Sequence, residues 1–337
     1  MAAGDFTCAD LQTILVNSDK AWMDNATKKD YVSYSETIKA VMAEQTASFP
    51  ELEKMEKDEK VKIYWVADCA DTLADCDDDC NVGGPIPEAT CKEYELDLCK
   101  KASFSVPEKL FRKSNLTREE VVAKAMMKRM KELDEYLSQA AVTAIDSFAG
   151  INVFAGIGQV VGTTTYIAPS LWTADLMGYL AQVGIMNKFS NPYLINGTNL
   201  WQQNWQANFN NLNSDQKDAL AKFGSLRSYW DPFNIDLILS PDKVSFLIDK
   251  GAVAFVSKAY YPANSPVEYI GAGQIRYSVE SKNLAGVFYD VVYTNRCVAD
   301  EIYHDFTLYI HAGIFQNPIG CSATNTGVLK LQCGVAP

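Results

Sequence analysis

The feature that most constrains this chain is one long stretch, Thr117 to Gly150. Thr117-Arg-Glu-Glu120 has the pattern of a capping box, in which the Thr oxygen and the Glu carboxylate satisfy backbone amides that no helical carbonyl can reach. Apolar residues then recur at Val122, Met126, Leu133, Leu137, Ala141, Ala144, Ile145 and Phe148, one stripe at helical spacing. Lys124, Lys128, Lys131, Glu132 and Glu135 take the other faces. The spacing predicts a single helix over 117–148, closed by Gly150 as the glycine after the last turn. At about 1.5 Å per residue it is roughly 45–50 Å long, where helices of globular domains average ~11–12 residues.

What precedes this helix has little apolar surface. Residues 1–56 read as short helices: Thr7 with Asp10 caps the first, and Asn25 or Thr27 starts a second that runs towards Ser48 and stops at Pro50. Its apolar content is modest, marked by Tyr31, Ile38, Val41 and Met42, and the segment reads as an extended arm that packs on something else. VKIYWVAD (61–68) and KASFSVPEKLF (101–111) alternate as strands do, and between them lies DCDDDCNVGGPIPE, with a turn at Gly83-Gly84-Pro85. Together they predict a long two-stranded ribbon over 59–113. Such a hairpin is marginal alone in water and needs another surface.

After the helix the pattern becomes mixed. GTTTYIAP (162–169) predicts a strand, and Thr173–Phe189 a helix with Leu176, Leu180, Val183 and Met186 inside. Residues 191–210 read as irregular surface or short strands, Ser214 caps a helix through about Arg227, and Ile235–Leu239 reads as a short buried strand closed by Ser240-Pro241. From 243 onward SFLIDKG, AVAFVSKAYYP, QIRYSVES, GVFYDVVYT, DFTLYIHAGIF and GVLKLQCG predict antiparallel strands, with turns at Lys282-Asn283, Asn317-Pro318 and Asn325-Thr326-Gly327. The fold class is α+β.

Composition narrows the function. Hydrophobic residues make up 48% of the 337 and charged residues 21%, values of a globular core. The net charge of −12, with basic residues gathered only over Lys124–Lys131, argues against a dedicated nucleic-acid binder. No apolar run reaches the ~18 residues that a bilayer span needs. The start, MAAGDFTCADLQ, lacks the basic-then-apolar layout of a secretion signal, so a cytoplasmic product is expected.

No constellation of catalytic groups emerges. The two histidines, His304 and His311, are seven apart on an alternating pattern and so point to opposite faces of a strand. No G-x-S-x-G elbow is present, and Gly156-Ile-Gly158-Gln-Val-Val-Gly162 follows a helix end where a nucleotide loop follows a strand, so it reads as a connection. Asp75, Asp77, Asp79 and Asn81 alternate as in the first half of a calcium loop, but Cys80 stands at the sixth position and Ile86 at the twelfth. Of nine cysteines, Cys69, Cys76, Cys80, Cys91 and Cys99 cluster; free oxidisable thiols, disulfides and a zinc site on Cys76, Cys80, Cys91 and Cys99 all stand as readings, in that order of preference. Trp201, Trp205 and Phe209 read as packing or intersubunit contact. No catalytic, cofactor-binding or metal-binding residue is assigned, no cofactor is expected, and the chain is read as no enzyme.

The order of elements resembles the major capsid protein of tailed bacteriophages, the Hong Kong 97-type fold: an arm, a long ribbon, one very long capped helix, a mixed region and β-rich ends. The Cys/Asp-rich tip, Gly313-Ile-Phe-Gln-Asn-Pro-Ile-Gly-Cys321 and Asn325-Thr-Gly-Val-Leu-Lys330 are likewise similar to capsid proteins of some tailed phages. The resemblance implies an N-terminal arm over 1–58, an extended loop over 59–114, and a spine helix with peripheral and axial domains over 115–337. It implies a structural subunit of an icosahedral head shell, made in the host cytoplasm and residing in the virion. Its partners would be other copies in hexamers and pentamers, a separate scaffolding protein (the arm being too short to serve as a built-in one), portal and decoration proteins, and packaged DNA contacted non-specifically, with no membrane. The competing expectations are a tail-tube or head-completion protein and, further off, a soluble enzyme.

Overall fold

The computed structural model describes residues 6–45, 61–67, 88–113, 116–154, 156–172, 176–200, 226–239, 243–269, 273–317 and 326–337. In chain order the elements are α1 (Cys8–Met23), α2 (Asn25–Lys28), α3 (Glu36–Glu44), β1 (Val61–Ala67), β2 (Glu88–Tyr94), β3 (Leu98–Pro107), α4 (Glu108–Lys113), α5 (Arg118–Phe148), β4 (Gln159–Val161), β5 (Thr164–Ile167), α6 (Leu176–Met186), β6 (Pro192–Asn196), β7 (Arg227–Trp230), α7 (Pro232–Ile238), β8 (Lys243–Asp249), β9 (Val253–Ser257), β10 (Val267–Tyr269), β11 (Gln274–Glu280), β12 (Phe288–Val298), β13 (Glu301–Gln316) and β14 (Val328–Cys333).

The long helix α5 forms as its sequence predicts. Thr117 Oγ1 accepts from the Glu120 amide at 3.3 Å, and the Glu120 carboxylate accepts from the Thr117 amide at 2.9 Å. Val122, Met126, Leu133, Leu137, Ala141 and Ile145 are buried, while Ala144 and Phe148 are half-buried. Ala123, Met127, Met130 and Val142 are buried as well, so the covered face is wider than one stripe. The reason is that α5 is covered on two sides, by the N-terminal helices and by an antiparallel sheet. Gly150 has no left-handed backbone. It is needed for a close approach: a Cβ there would lie 2.3 Å from Thr326 Oγ1, and its amide donates to the Val328 carbonyl at 2.9 Å.

Three sheets are present among the described residues. One runs β10-β11-β12-β13-β3, with β9 also pairing β13; a second runs β4-β5-β14-β8-β6-β7; the third is β1-β2 alone. The first sheet is antiparallel throughout. The second is mixed: β14 pairs β5 in parallel and β6 pairs β7 in parallel. A main core joins α1, α3, α5, the first sheet and part of the second. A smaller one, with Leu180, Val183, Leu194, Leu247 and Leu331, lies under α6.

Several expectations need correction. The ribbon's returning strand is β2, residues 88–94, in register Val61↔Tyr94 to Ala67↔Glu88. The run 101–111 instead divides into β3, an edge of the first sheet with Phe104 opposite Phe306, and α4. The N-terminal segment is no extended arm over residues 6–45: Phe6, Leu11, Ile14, Ile38 and Val41 are fully buried in the main core. The helix expected from Asn25 or Thr27 towards Ser48 breaks into α2 and α3 around 29–35. Ile235–Ile238 belong to helix α7 and Leu239 is its C-cap, because Asp231 accepts from the Asn234 amide at 3.2 Å and Pro232 takes the first turn, where its missing N–H costs nothing. Met186 is exposed, and Arg227 opens strand β7. Trp201, Trp205, Phe209, the helix expected from Ser214 and the tip 68–87 lie outside the described residues.

Candidate assembly interface

The buried polar groups of the core are engaged with one another. Asp134, in the middle of α5, accepts from Ser281 Oγ at 2.8 Å, from Asn283 Nδ2 at 2.7 Å and from the Tyr289 hydroxyl. Burial pushes its carboxyl up to about 6, against the opposite pull of those three hydrogen bonds and of Lys39. One turn on, Ser138 donates to Asp231 at 2.8 Å, and Asp231 also accepts from Thr37 Oγ1 at 2.8 Å and Asn234 Nδ2 at 3.0 Å. That carboxylate therefore ties α3, α5 and the start of α7 together.

The two histidines lie on opposite faces of β13, as their spacing predicts. His304 is fully buried, with Nδ1 3.0 Å from the Tyr293 hydroxyl and Nε2 2.8 Å from Glu108 Oε2. The Phe6 amide donates to the same Tyr293 oxygen at 3.2 Å. Arg118 Nη2 lies 3.0 Å from the same Nε2, so the ring links Tyr293 on one side with Glu108 and Arg118 on the other. Both ring nitrogens are thus committed to holding the chain's first residues and α4 on the sheet. His311 lies on the other face, edge-on to Tyr260 at 5.0 Å.

The thiols do not gather among the described residues. Cys8, Cys99, Cys297 and Cys333 are free, and no group of three metal-ligating side chains occurs there. Cys91 lies in β2 opposite Tyr64, while Cys69, Cys76 and Cys80 fall outside the described residues. The three readings of the cluster remain as the sequence leaves them.

The surface is where unsatisfied material lies. The ribbon β1-β2 is a sheet of its own, attached at its root by Tyr94. That ring meets Phe315 edge-on at 5.2 Å, its hydroxyl donates to the Gln316 carbonyl at 3.1 Å, and burial pushes its ionisation up to about 12. A second projection is the β12-β13 hairpin. Ala299 and Asp300 take left-handed backbone (φ 48 and 60) in a two-residue turn, and residues 295–300 are exposed. Apolar side chains also stand in solvent: Val153 and Ile185 are each 70% exposed, and Tyr34 stacks on Phe233 at 4.6 Å beside exposed Leu237. A two-stranded ribbon without a core, a projecting hairpin and exposed aliphatic groups suit contact with other protein surfaces.

A long capped helix laid across an antiparallel sheet, a separate mixed sheet and a ribbon leaving the body constitute the Hong Kong 97-type fold of phage shell proteins. A solved capsid structure shares this fold, and others are similar to the chain. The capsid asymmetric unit of cyanophage A-1(L) matches with a TM-score of 0.55 at 8% identity, over 89% of this chain and 92% of that one. The capsid asymmetric unit of cyanophage Pam1 matches with a TM-score of 0.48 at 8% identity, over 84% and 87% of the two chains. A Mycobacterium phage Adephagia structure matches with 0.46 at 14% identity, over 91% of each. No family model and no curated protein sequence matches the chain. At such identity the likeness is one of fold.

Proposed function

We propose that this protein is the major shell subunit of a tailed-phage head, which self-assembles into a closed icosahedral capsid around the genome. The observation that carries the reading is the fold shared with the cyanophage A-1(L) capsid along nearly the whole of both chains. The ribbon adds a physical reason: a hairpin without a core of its own gains a partner surface only when other copies surround it, and closed symmetry supplies such a surface to every copy. In this reading the role is structural and not enzymatic, and the protein resides in the virion. The arm is assigned to residues 1–58, of which 6–45 fold back onto the body. The projecting loop runs from 59 to 97 and not to 114, since β3 pairs within the sheet. Peripheral and axial domains follow the spine. Separate scaffolding, portal and decoration proteins, and non-specific contact with packaged DNA, complete the assembly.

Size-exclusion chromatography followed by negative-stain microscopy tests this. Closed shells, or rings of six and five subunits, are expected. Tubes would favour a tail protein, and a monomer at all concentrations would overturn the reading.

A further inference from the structure

The outer face of the first sheet, opposite α5, holds a cavity of about 510 Å³ lined by Cys99, Tyr260, Tyr261, Arg276, Tyr309 and His311, among others. That volume lies within the ~300–1,000 Å³ of ordinary ligand pockets. On the β11 side it offers a cation. The Arg276 guanidinium carbon lies 5.4 Å from the Tyr261 ring and 4.7 Å from the Tyr269 ring. Its only hydrogen bond among the described residues goes from Nη2 to Gln274 Oε1 at 2.9 Å, and its Nε is buried without a partner. Every other arginine whose side chain is described, Arg118, Arg129, Arg227 and Arg296, has a carboxylate within 4.0 Å. The carboxylate in the same cavity, Asp290, is occupied elsewhere: it accepts from the Tyr260 and Tyr261 amides at 3.0 and 3.1 Å and from Ser278 Oγ at 2.5 Å. Arg276 is therefore an aromatic-flanked cation that lacks its anion, a geometry suited to a planar carboxylate.

On the β3 side the cavity offers a thiol with a base beside it. Cys99 and His311 are directly opposed across β3 and β13, and such pairs carry their Cβ atoms about 4.5–5.5 Å apart on one face of the sheet. Cys99 is exposed and free, and the His311 ring is set edge-on to Tyr260 at 5.0 Å. Thiols that react stand exposed beside histidine or cationic groups, whereas those that only pack are buried among apolar ones. The other exposed thiol among the described residues, Cys297, has Ile302 as its cross-strand partner. Strands β11 and β3 are three strand spacings apart, about 14 Å at ~4.8 Å each. A ligand that reaches both ends is therefore elongated, with a carboxylate for Arg276 and a thiol-reactive group near Cys99. We propose that this cavity takes a small, elongated disulfide bearing carboxylates, and that Cys99 exchanges with it to form a mixed disulfide. His311 takes the Cys99 proton, and the thiolate forms a new S–S bond to one sulfur of the ligand. The ligand's own S–S bond breaks, and the departing thiolate leaves with that proton. The Cys99 sulfur is oxidised and the departing sulfur reduced, so the ligand is itself the oxidant. The inference goes beyond the shell reading and does not rest on it.

The test uses freshly reduced full-length protein, dilute and unassembled. It is mixed with glutathione disulfide, or with hydroxyethyl disulfide, which carries no charge. Samples are quenched over time, and the modified cysteines are mapped by mass spectrometry. Cys99 is expected to gain the glutathione adduct about tenfold faster than Cys297, the scale of one charge-assisted hydrogen bond. Arg276→Gln should erase that preference and leave the rate of Cys99 with the uncharged disulfide as it was, which also shows that the variant is folded. His311→Gln should slow Cys99 with both reagents and leave Cys297 unaffected. The proposal is overturned by a Cys99 that reacts no faster than Cys297, by a preference for glutathione disulfide that survives Arg276→Gln, or by a Cys99 rate that His311→Gln does not change. No particle forms in any arm, so each of these failures leaves the shell reading standing.

Discussion

The long helix and the ribbon answer the same problem, where to bury apolar surface, in opposite ways. The helix α5 is covered on both flanks by its own chain, and its two buried polar side chains, Asp134 and Ser138, are each matched by partners from distant segments. The ribbon pairs only with itself and is held to the body at one end by Tyr94. In the first region folding is complete within one copy; in the second, the ribbon has no core of its own. In the proposed shell, stability and assembly would be carried by separate parts of this molecule, and so should be separable by mutation.

Leu133→Asp should break the body outright. Leu133 is 3% exposed in the main core, and an unpaired buried charge costs several kcal/mol after relaxation, so the protein should be recovered insoluble. Glu132→Ala, one residue away on the open face, removes only an ion pair with Arg129 and should leave the melting temperature within about a degree, as exposed pairs are worth ~0–1 kcal/mol. Asp231→Ala should come next, because it strands the Thr37, Ser138 and Asn234 donors together. A loss of roughly 2–4 kcal/mol in urea unfolding is expected, with each stranded group costing ~1–3 kcal/mol at most.

Asp134 sharpens the comparison through pH. Its carboxyl titrates at about 6 in the folded protein, above the ~3.9 of an unfolded chain. The folded state thus holds this proton more tightly, so the group's contribution to stability is fully present below about pH 4 and is lost as pH rises through 6. Asp134→Asn should flatten that part of the stability profile, read from urea midpoints across this window. The smallest effect on folding is expected from the ribbon. Replacing 70–86 with a short Gly-Ser turn should leave the circular dichroism and melting of the subunit unchanged while closed shells disappear from micrographs. Equal shell yields would mean that the two regions do not divide the work.

What the sequence made legible was local. Thr117 and Glu120 lie three residues apart, the alternation in β11, β12 and β13 spans single strands, and the opposite facing of His304 and His311 follows from parity alone. What it hid depends on distant partners. β3 looks like a ribbon strand because its alternation is equally compatible with any antiparallel neighbour, and the true one starts at residue 301. Asp134 and Ser138 interrupt the apolar stripe as solvated residues would, and only Ser281 and Asp231, 147 and 93 residues onward, explain their burial. The error at Ile235–Leu239 was avoidable: a short apolar run suits strand and helix alike, and Asp231-Pro232 supplied the helix-start signal. In the candidate interface the alternation of β1 was legible, whereas the seating of Tyr94 on Phe315, far along the chain, was not.

The 16-residue strand β13 has one more consequence, a mechanical one. It is paired by β12 and then β9 along one edge and by β3 along the other. The ribbon is joined to the body through β3, which follows β2 in the chain, and through Tyr94 at the end of β13. In the proposed shell, tension drawn along β3 by a neighbour would fall on ten residue pairs at once, from Leu98 opposite Ala312 to Pro107 opposite Tyr303. Bonds that lie across the direction of pull are loaded in shear and must yield together, whereas a strand peeled from its end gives them up one by one. The seam between projecting loop and body is therefore built as a lap joint, strongest in the plane in which an inflated shell would stretch it.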